Sequence, residues 1–178
     1  MASDRDLWER IRAGDADAFD ALYRENAQRL KGFLQVLTGS HTSAEDVTQE
    51  TFAQMWRSPN GFQPEYGSLR AYLFGIGRKR AAELWRKQGR SEKPVGTDTE
   101  EATPENSEMI VAIGDAFGRL STEQQSLLWL REVEGQSYAE LAAIFCVPIG
   151  TIRSRLFVAR EELRRIWHGS SNRKELRQ

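Results

Sequence analysis

The sequence of 178 residues holds one cysteine, Cys146, and two histidines, His41 and His168. A single thiol excludes an internal disulfide and any zinc or iron–sulfur site built on clustered cysteines. Two histidines leave little for metal chemistry or for histidine acid–base catalysis. No nucleophile with its base, no metal-ligand spacing and no phosphate-cradling glycine loop is present, so no catalytic residue, metal ligand or cofactor is assigned and an enzyme is disfavoured. Long apolar runs are missing too. Nothing approaches the roughly 18–20 uninterrupted apolar residues that a membrane helix requires, and charges interrupt residues 1–25, unlike a signal peptide. The expectation is a protein with no membrane span that stays in the cytoplasm. At 39% hydrophobic residues, the chain can still bury a core for one large domain or two small ones.

The formal net charge is only -1, but the charge is segregated along the chain. Residues 67–90 carry Arg70, Arg78, Lys79, Arg80, Arg86, Lys87 and Arg90 against one acid, Glu83. Residues 150–165 carry Arg153, Arg155, Arg160, Arg164 and Arg165 against Glu161 and Glu162. Between them, Glu92, Asp98, Glu100, Glu101, Glu105 and Glu108 face Lys93 alone. The stretch 91–107 also contains Pro94, Gly96 and Pro104, with Val95 and Ala102 as its apolar members, too few to hold it on a core. The sequence therefore predicts an all-α chain of two small helical domains, 1–90 and 108–168, joined by a flexible acidic linker at 91–107 and followed by a disordered tail at 169–178.

Apolar periodicity supports helices on both sides. Phe19, Leu22, Tyr23, Leu30, Phe33, Leu34 and Leu37 recur at three- and four-residue steps over 15–38, and Gly39 and Ser40 stop that helix. Ser43 with Asp46 resembles a capping box that starts the next helix, whose stripe is Val47, Thr51, Phe52 and Met55. Its opposite face carries Asp46, Gln49, Glu50, Gln54 and Arg57, and by spacing alone Asp46, Gln49 and Glu50 suit plain solvent surface as well as a protein contact. Pro59, Gly61 and Pro64 make 58–66 a loop, a strong helix follows over 68–87, and a short one is expected around Leu7, Trp8 and Ile11.

In the second half, helices are expected over 108–118 and 122–134, with Gly135 ending the latter. Ser121 with Gln124 and Ser137 with Glu140 are capping boxes. The short helix 138–145 is followed by a turn at Cys146 and Val147, and Pro148 opens the last helix, with inner stripe Ile152, Leu156, Ala159 and Leu163. A short helix, a tight turn and an arginine-bearing helix form a helix-turn-helix. Its second helix would meet base edges with Thr151, Arg153, Ser154 and Arg155, while Arg160 lies farther along, toward phosphate. The same arginines also suit a solvated basic face of a helical bundle. Around the other basic helix, Phe62, Tyr66, Tyr72, Phe74 and Trp85 could offer stacking surfaces beside a positive track, although Tyr72 and Phe74 fit the core better. Cys146, between Phe145 and Val147, reads as a small buried residue more readily than as a redox sensor.

The runs AEDVTQETFAQMW at 44–56 and GSLRAYLFGIGR at 67–78 resemble region 2 of extracytoplasmic-function sigma factors. SYAELA at 137–142 and PIGTIRSRL at 148–156 resemble region 4 of the same family. Together with the linker they cover roughly 15–167 in the family's order. The resemblance implies a promoter-specificity subunit of bacterial RNA polymerase, without catalytic activity of its own. It implies that Asp46, Gln49 and Glu50 dock on the clamp helices of the largest subunit of the polymerase core. It also implies that Phe62, Tyr66, Arg70, Arg78, Lys79 and Arg80 meet the melted minus-ten element of promoter DNA. Thr151, Arg153, Ser154, Arg155 and Arg160 would then read the minus-thirty-five duplex. An inhibitory anti-sigma factor is the usual further partner in this family. Lys79 stands where many members carry an asparagine of the minus-ten surface, and Glu83 where aspartate is usual. The alternative that the residues leave open is a polymerase-independent helix-turn-helix regulator with an N-terminal protein-interaction bundle.

Overall fold

The computed structural model describes residues 3–87 and 114–175, leaving out the side chains of Tyr66 and of residues 170–175. The acidic segment 91–107 and the start of the helix expected at 108–118 lie outside the described residues.

Helix α1 (Asp4–Arg12) begins with a capping box between Ser3 and Asp6, and its Trp8 and Ile11 are buried. Helix α2 (Ala16–Thr38) starts where Asp15 Oδ1 accepts from the N–H groups of Asp17 and Ala18, both at 3.0 Å. It stops at Gly39, whose left-handed backbone (φ 68°) suits a residue without Cβ. Helix α3 (His41–Arg57) follows at once and corrects one expectation. Ser40, not Ser43, is its cap, and Ser40 Oγ accepts from the N–H of Ser43 at 3.3 Å. Ser40 leaves Gly39 already extended (φ -142°, ψ 127°), so the helix nucleates at the first available cap and takes Ser43 into its first turn.

A 3-10 turn (Pro64–Tyr66) leads into α4 (Leu69–Lys87). The start of α4 is held from across the domain, because Asp4 Oδ2 accepts from the N–H of Leu69 at 2.7 Å. Helices α2, α3 and α4 share a core of Leu30, Phe33, Leu34, Met55, Leu69, Leu73 and Phe74, all fully enclosed. Burying each such side chain is worth about 1.5–3 kcal/mol. Gly77 sits at the α2–α4 crossing, where a Cβ would stand 3.0 Å from Leu30 Cδ1 and 3.5 Å from Leu34 Cδ2. That close approach explains a glycine in mid-helix despite its poor helix propensity.

In the second half, α5 (114–118) precedes α6 (Thr122–Leu128), capped by Ser121 and Gln124 as expected. The helix expected to run unbroken to Glu134 widens instead into one π-helical turn (Trp129–Val133), in which the N–H of Glu134 reaches Trp129 O at 3.1 Å. Gly135 (φ 69°) then ends it, and Gln136 N–H bonds Leu130 O at 2.9 Å. Helix α7 (Tyr138–Phe145) carries the Ser137–Glu140 capping box. Cys146 corrects the expectation of burial: it is exposed and takes the left-handed cap of α7 (φ 54°). The turn into α8 needs that backbone geometry, which carries the cysteine side chain off the apolar side.

Helix α8 (Ile149–Glu175) extends well into the tail expected to be disordered. The sequence holds no proline after Pro148 to stop it, and the pairs Glu161–Arg164 and Glu162–Arg165 brace its exposed side at helical spacing. Leu127, Leu130, Leu141, Ile152 and Leu156 form the core of this half. The two halves pack on each other, α7 against α4 and α6 against α2. Among the described residues, no single helix is long and apolar enough to cross a membrane.

Candidate nucleic-acid interface

The inner stripe of α8 buries Ile152, Leu156 and Ala159. Helical geometry then turns the intervening positions outward, and Arg153 and Ser154 are exposed beside half-buried Thr151 and Arg155. Arg153 lies 5.8 Å from the Tyr138 ring centroid, at the outer limit of a cation–π contact, so its guanidinium is available. Arg155 and Arg160 are engaged. The first pairs with Glu123 of α6 and the second with Glu132 of the π turn at 2.6 Å. Its donation to the Glu132 carboxylate holds the Arg160 guanidinium above its ordinary pKa. Exposed pairs of this kind are worth only about 0–1 kcal/mol, so a phosphate can replace either carboxylate. Phe157 and Val158 are exposed apolar residues on the same helix.

Around α4, the expected residues separate into three groups. Lys79 is exposed, whereas Arg70, Arg78 and Arg80 are half-buried and partnered. Arg70 Nη2 donates to the backbone oxygen of Glu134 at 2.9 Å, and the Arg78 guanidinium stacks 4.2 Å from the Phe145 ring centroid. Burial pulls the Arg78 guanidinium below its ordinary pKa. Arg80 Nε donates to Gln54 Oε1 at 2.8 Å, and its Nη1 lies 3.8 Å from Glu50 and 3.5 Å from Glu83. Phe62 departs from its expected stacking role. It is buried, with its ring centroid 5.4 Å from Trp8 and 5.7 Å from Tyr72, because the loop folds its aromatic inward over α1. The Tyr66 side chain lies outside the described residues.

A cleft of about 660 Å³ opens between the 61–63 loop, α4 and the end of α7. Arg78, Lys79, Arg80 and Arg86 line it beside Gln54, Tyr72 and Cys146. Arg86 was not among the expected site residues, although its spacing from Lys79 and Glu83 already places it on their face. Spacing places Gln54 on the polar face of α3, and the packing of α3 on α4 brings it to the cleft. On α3, Asp46, Gln49 and Glu50 are all exposed and share one face. Among the described residues, no group of His, Cys, Asp and Glu could hold a metal ion.

Comparison with known proteins matches both halves. Residues 22–91 fit the family described as Sigma-70 region 2, and residues 110–163 fit that described as Sigma-70, region 4. The chain is 32% identical to the ECF RNA polymerase sigma-E factor of Haemophilus influenzae, over 89% of this chain and 92% of that protein. It is 33% identical to the ECF RNA polymerase sigma factor SigL of Mycobacterium tuberculosis, over 85% of this chain and 90% of that protein. Among solved structures, the sigma factor RpoE in complex with the anti-sigma factor NepR from Bartonella quintana is similar at 27% identity and a TM-score of 0.69, covering 83% of this chain and 95% of that one.

Proposed function

This chain belongs to the extracytoplasmic-function sigma factors of the sigma-70 family, and from that membership we propose which of its surfaces meet polymerase and which meet DNA. The protein is an RNA polymerase sigma factor, a transcription-initiation factor and not an enzyme. The single observation that carries this conclusion is the match of both regions, in order, along one chain.

Region 2 docks on the clamp helices of the largest polymerase subunit through the α3 face of Asp46, Gln49 and Glu50. All three side chains are exposed, and Glu50 also lies 3.8 Å from Arg80 of α4. The basic side of α4, with Arg70, Arg78, Lys79 and Arg80, holds the melted minus-ten strand, and Arg86 extends the same positive track. Region 4 inserts the start of α8 into the major groove of the minus-thirty-five element. Arg153 is suited to bidentate recognition of guanine, with Thr151 and Ser154 beside it. Arg155 and Arg160 exchange their carboxylate partners for backbone phosphates. An anti-sigma protein, such as the partner named with the Bartonella quintana relative, is a further partner of this chain. The factor works in the cytoplasm.

The test is run-off transcription with bacterial core polymerase on fragmented genomic DNA, followed by mapping of the start sites. The expected result is initiation at a small set of sites sharing two sequence elements, one at the minus-ten and one at the minus-thirty-five position. Failure of the purified protein to associate with core polymerase, together with tight operator binding on its own, would instead favour an independent helix-turn-helix regulator.

A further inference from the structure

Among the described residues, the most exposed large apolar side chain is that of Phe157 on α8, at 65%. It stands four residues after Arg153 and three after Ser154, so helical spacing places it on the face that carries both. Arg160 follows three residues later. The buried stripe of Ile152, Leu156 and Ala159 runs along the other side of the helix. For α8 alone, a phenylalanine at this position is unfavourable on two counts. Its intrinsic helix propensity is below that of Ala, Arg or Glu, and its ring leaves apolar surface in water.

The side chains around the ring define what can cover it. Arg153 is exposed beside it, and Arg160 forms only a solvent-exposed pair with Glu132. Ser154 is exposed too, its hydroxyl donating to Thr151 O at 3.0 Å. The partner of such a face has to present an apolar group within a negatively charged frame. The major groove of duplex DNA does so: phosphates line its edges, guanine offers acceptors, and the C5-methyl of thymine is the apolar group among the base edges. A cytosine in the same place offers an amino donor and no methyl.

We propose that Phe157 is a specificity-determining residue of region 4, whose ring packs on the C5-methyl of one thymine in the minus-thirty-five duplex. The proposal rests on the assignment of the start of α8 to the major groove. From Arg153 to Phe157 the helix rises about 6 Å, and stacked base pairs are about 3.4 Å apart, so this thymine lies within about two base pairs of the base that Arg153 meets. Arg153 then reads by hydrogen bonds and Phe157 by apolar contact, and one turn of α8 selects two neighbouring positions.

The test uses the full-length protein assembled with bacterial core polymerase, which selects duplexes from a pool randomised over both promoter elements. In the selected duplex each upstream thymine is replaced in turn by deoxyuridine, which removes the methyl and keeps every hydrogen-bonding group. The native assembly is expected to lose about fourfold in affinity at one such position, the worth of one buried methyl group. Phe157→Ala is expected to bind the unmodified duplex about fourfold more weakly and to be indifferent to deoxyuridine at that position, while Phe157→Leu recovers part of the sensitivity. Phe157→Ala removes only exposed atoms and raises helix propensity, so its fold is retained.

Equal sensitivity of the native protein and Phe157→Ala at every thymine, or no sensitivity in either, would overturn the proposal. A base preference that is lost on Arg153→Ala would still uphold the groove assignment in that case. Selection of no upstream sequence, or of the same one by native protein, Arg153→Ala and Phe157→Ala, would remove that assignment and the proposal with it. Weaker assembly of Phe157→Ala with core polymerase, at unchanged deoxyuridine sensitivity, would assign the ring to a protein contact and overturn the proposal as well.

Discussion

The hydroxyl of Ser68, which caps α4 by accepting from the N–H of Ala71 at 3.1 Å, donates in turn to Glu140, the residue that closes the capping box of α7. Two helix starts that lie 72 residues apart in sequence are thereby joined cap to cap. Glu140 uses its other carboxylate oxygen to accept from the N–H of Ser137 at 2.8 Å. One side chain thus serves both the local structure of region 4 and its contact with region 2.

That double role makes Glu140 a source of acid sensitivity. Burial pushes its carboxyl upward, but the bonds from Ser68 and Ser137 outweigh burial and leave it below its ordinary 4.5. A carboxylate depressed in the folded state contributes stability that is fully present above that ordinary value and is lost as pH falls through the lowered one. Thermal melts between about pH 5 and pH 3 should show the melting temperature of the native protein falling toward that of Glu140→Gln. Parallel curves for the two proteins across this range would contradict the role.

Gly61 is fixed by Tyr72. A Cβ there would lie 2.1 Å from the tyrosine hydroxyl, and the ring cannot retreat because Trp8 and Phe62 pack edge-on and tilted against it. Gly61→Ala is expected to destabilise region 2 by about 1–3 kcal/mol. Tyr72→Phe in the same protein should recover part of that loss, since Cζ, at 3.2 Å, remains close. Chemical denaturation of the two single variants and the double variant gives the coupling directly.

Asp46 offers the cleaner probe of the polymerase face, because Glu50 also faces Arg80. Asp46→Lys should weaken assembly with core polymerase by roughly tenfold, about 1.4 kcal/mol, with an unchanged circular dichroism spectrum. Native affinity in a fluorescence titration with core enzyme would remove Asp46 from the interface.

For the upstream element, Arg153→Ala should reduce binding by about 1–3 kcal/mol and relax the preference at one base position. Competition among duplexes that differ at single positions separates this from a phosphate contact, whose loss is uniform across sequences. Arg160→Ala is expected to show that uniform loss together with a shallower salt dependence.

Much of the fold is legible in the chain because its signals are local. Gly39 and Gly135 stop helices where their left-handed backbone requires them to, and the Ser121–Gln124 and Ser137–Glu140 boxes start helices where their spacing indicates. Ser43 has a good capping pattern, but Ser40 offers a cap first, and the helix that starts at Thr122 widens into a π turn at Trp129–Val133. The hydrophobic neighbours of Cys146 suggest burial, but the left-handed turn that caps α7 leaves it exposed.

By itself the sequence determined the helices, the segregation of charge and the face of α8 that meets solvent, since each follows from spacing along one element. It could not determine that Arg80 is tied to Gln54 and Glu50, that Phe62 is enclosed, or that Arg70 and Arg78 are covered by region 4. Those outcomes depend on which helices cross and at what distance. Crossing is set by the fit of surfaces far apart in the chain, as with Gly77 against Leu30 and Leu34 where α4 crosses α2, and no pattern within a single helix encodes it.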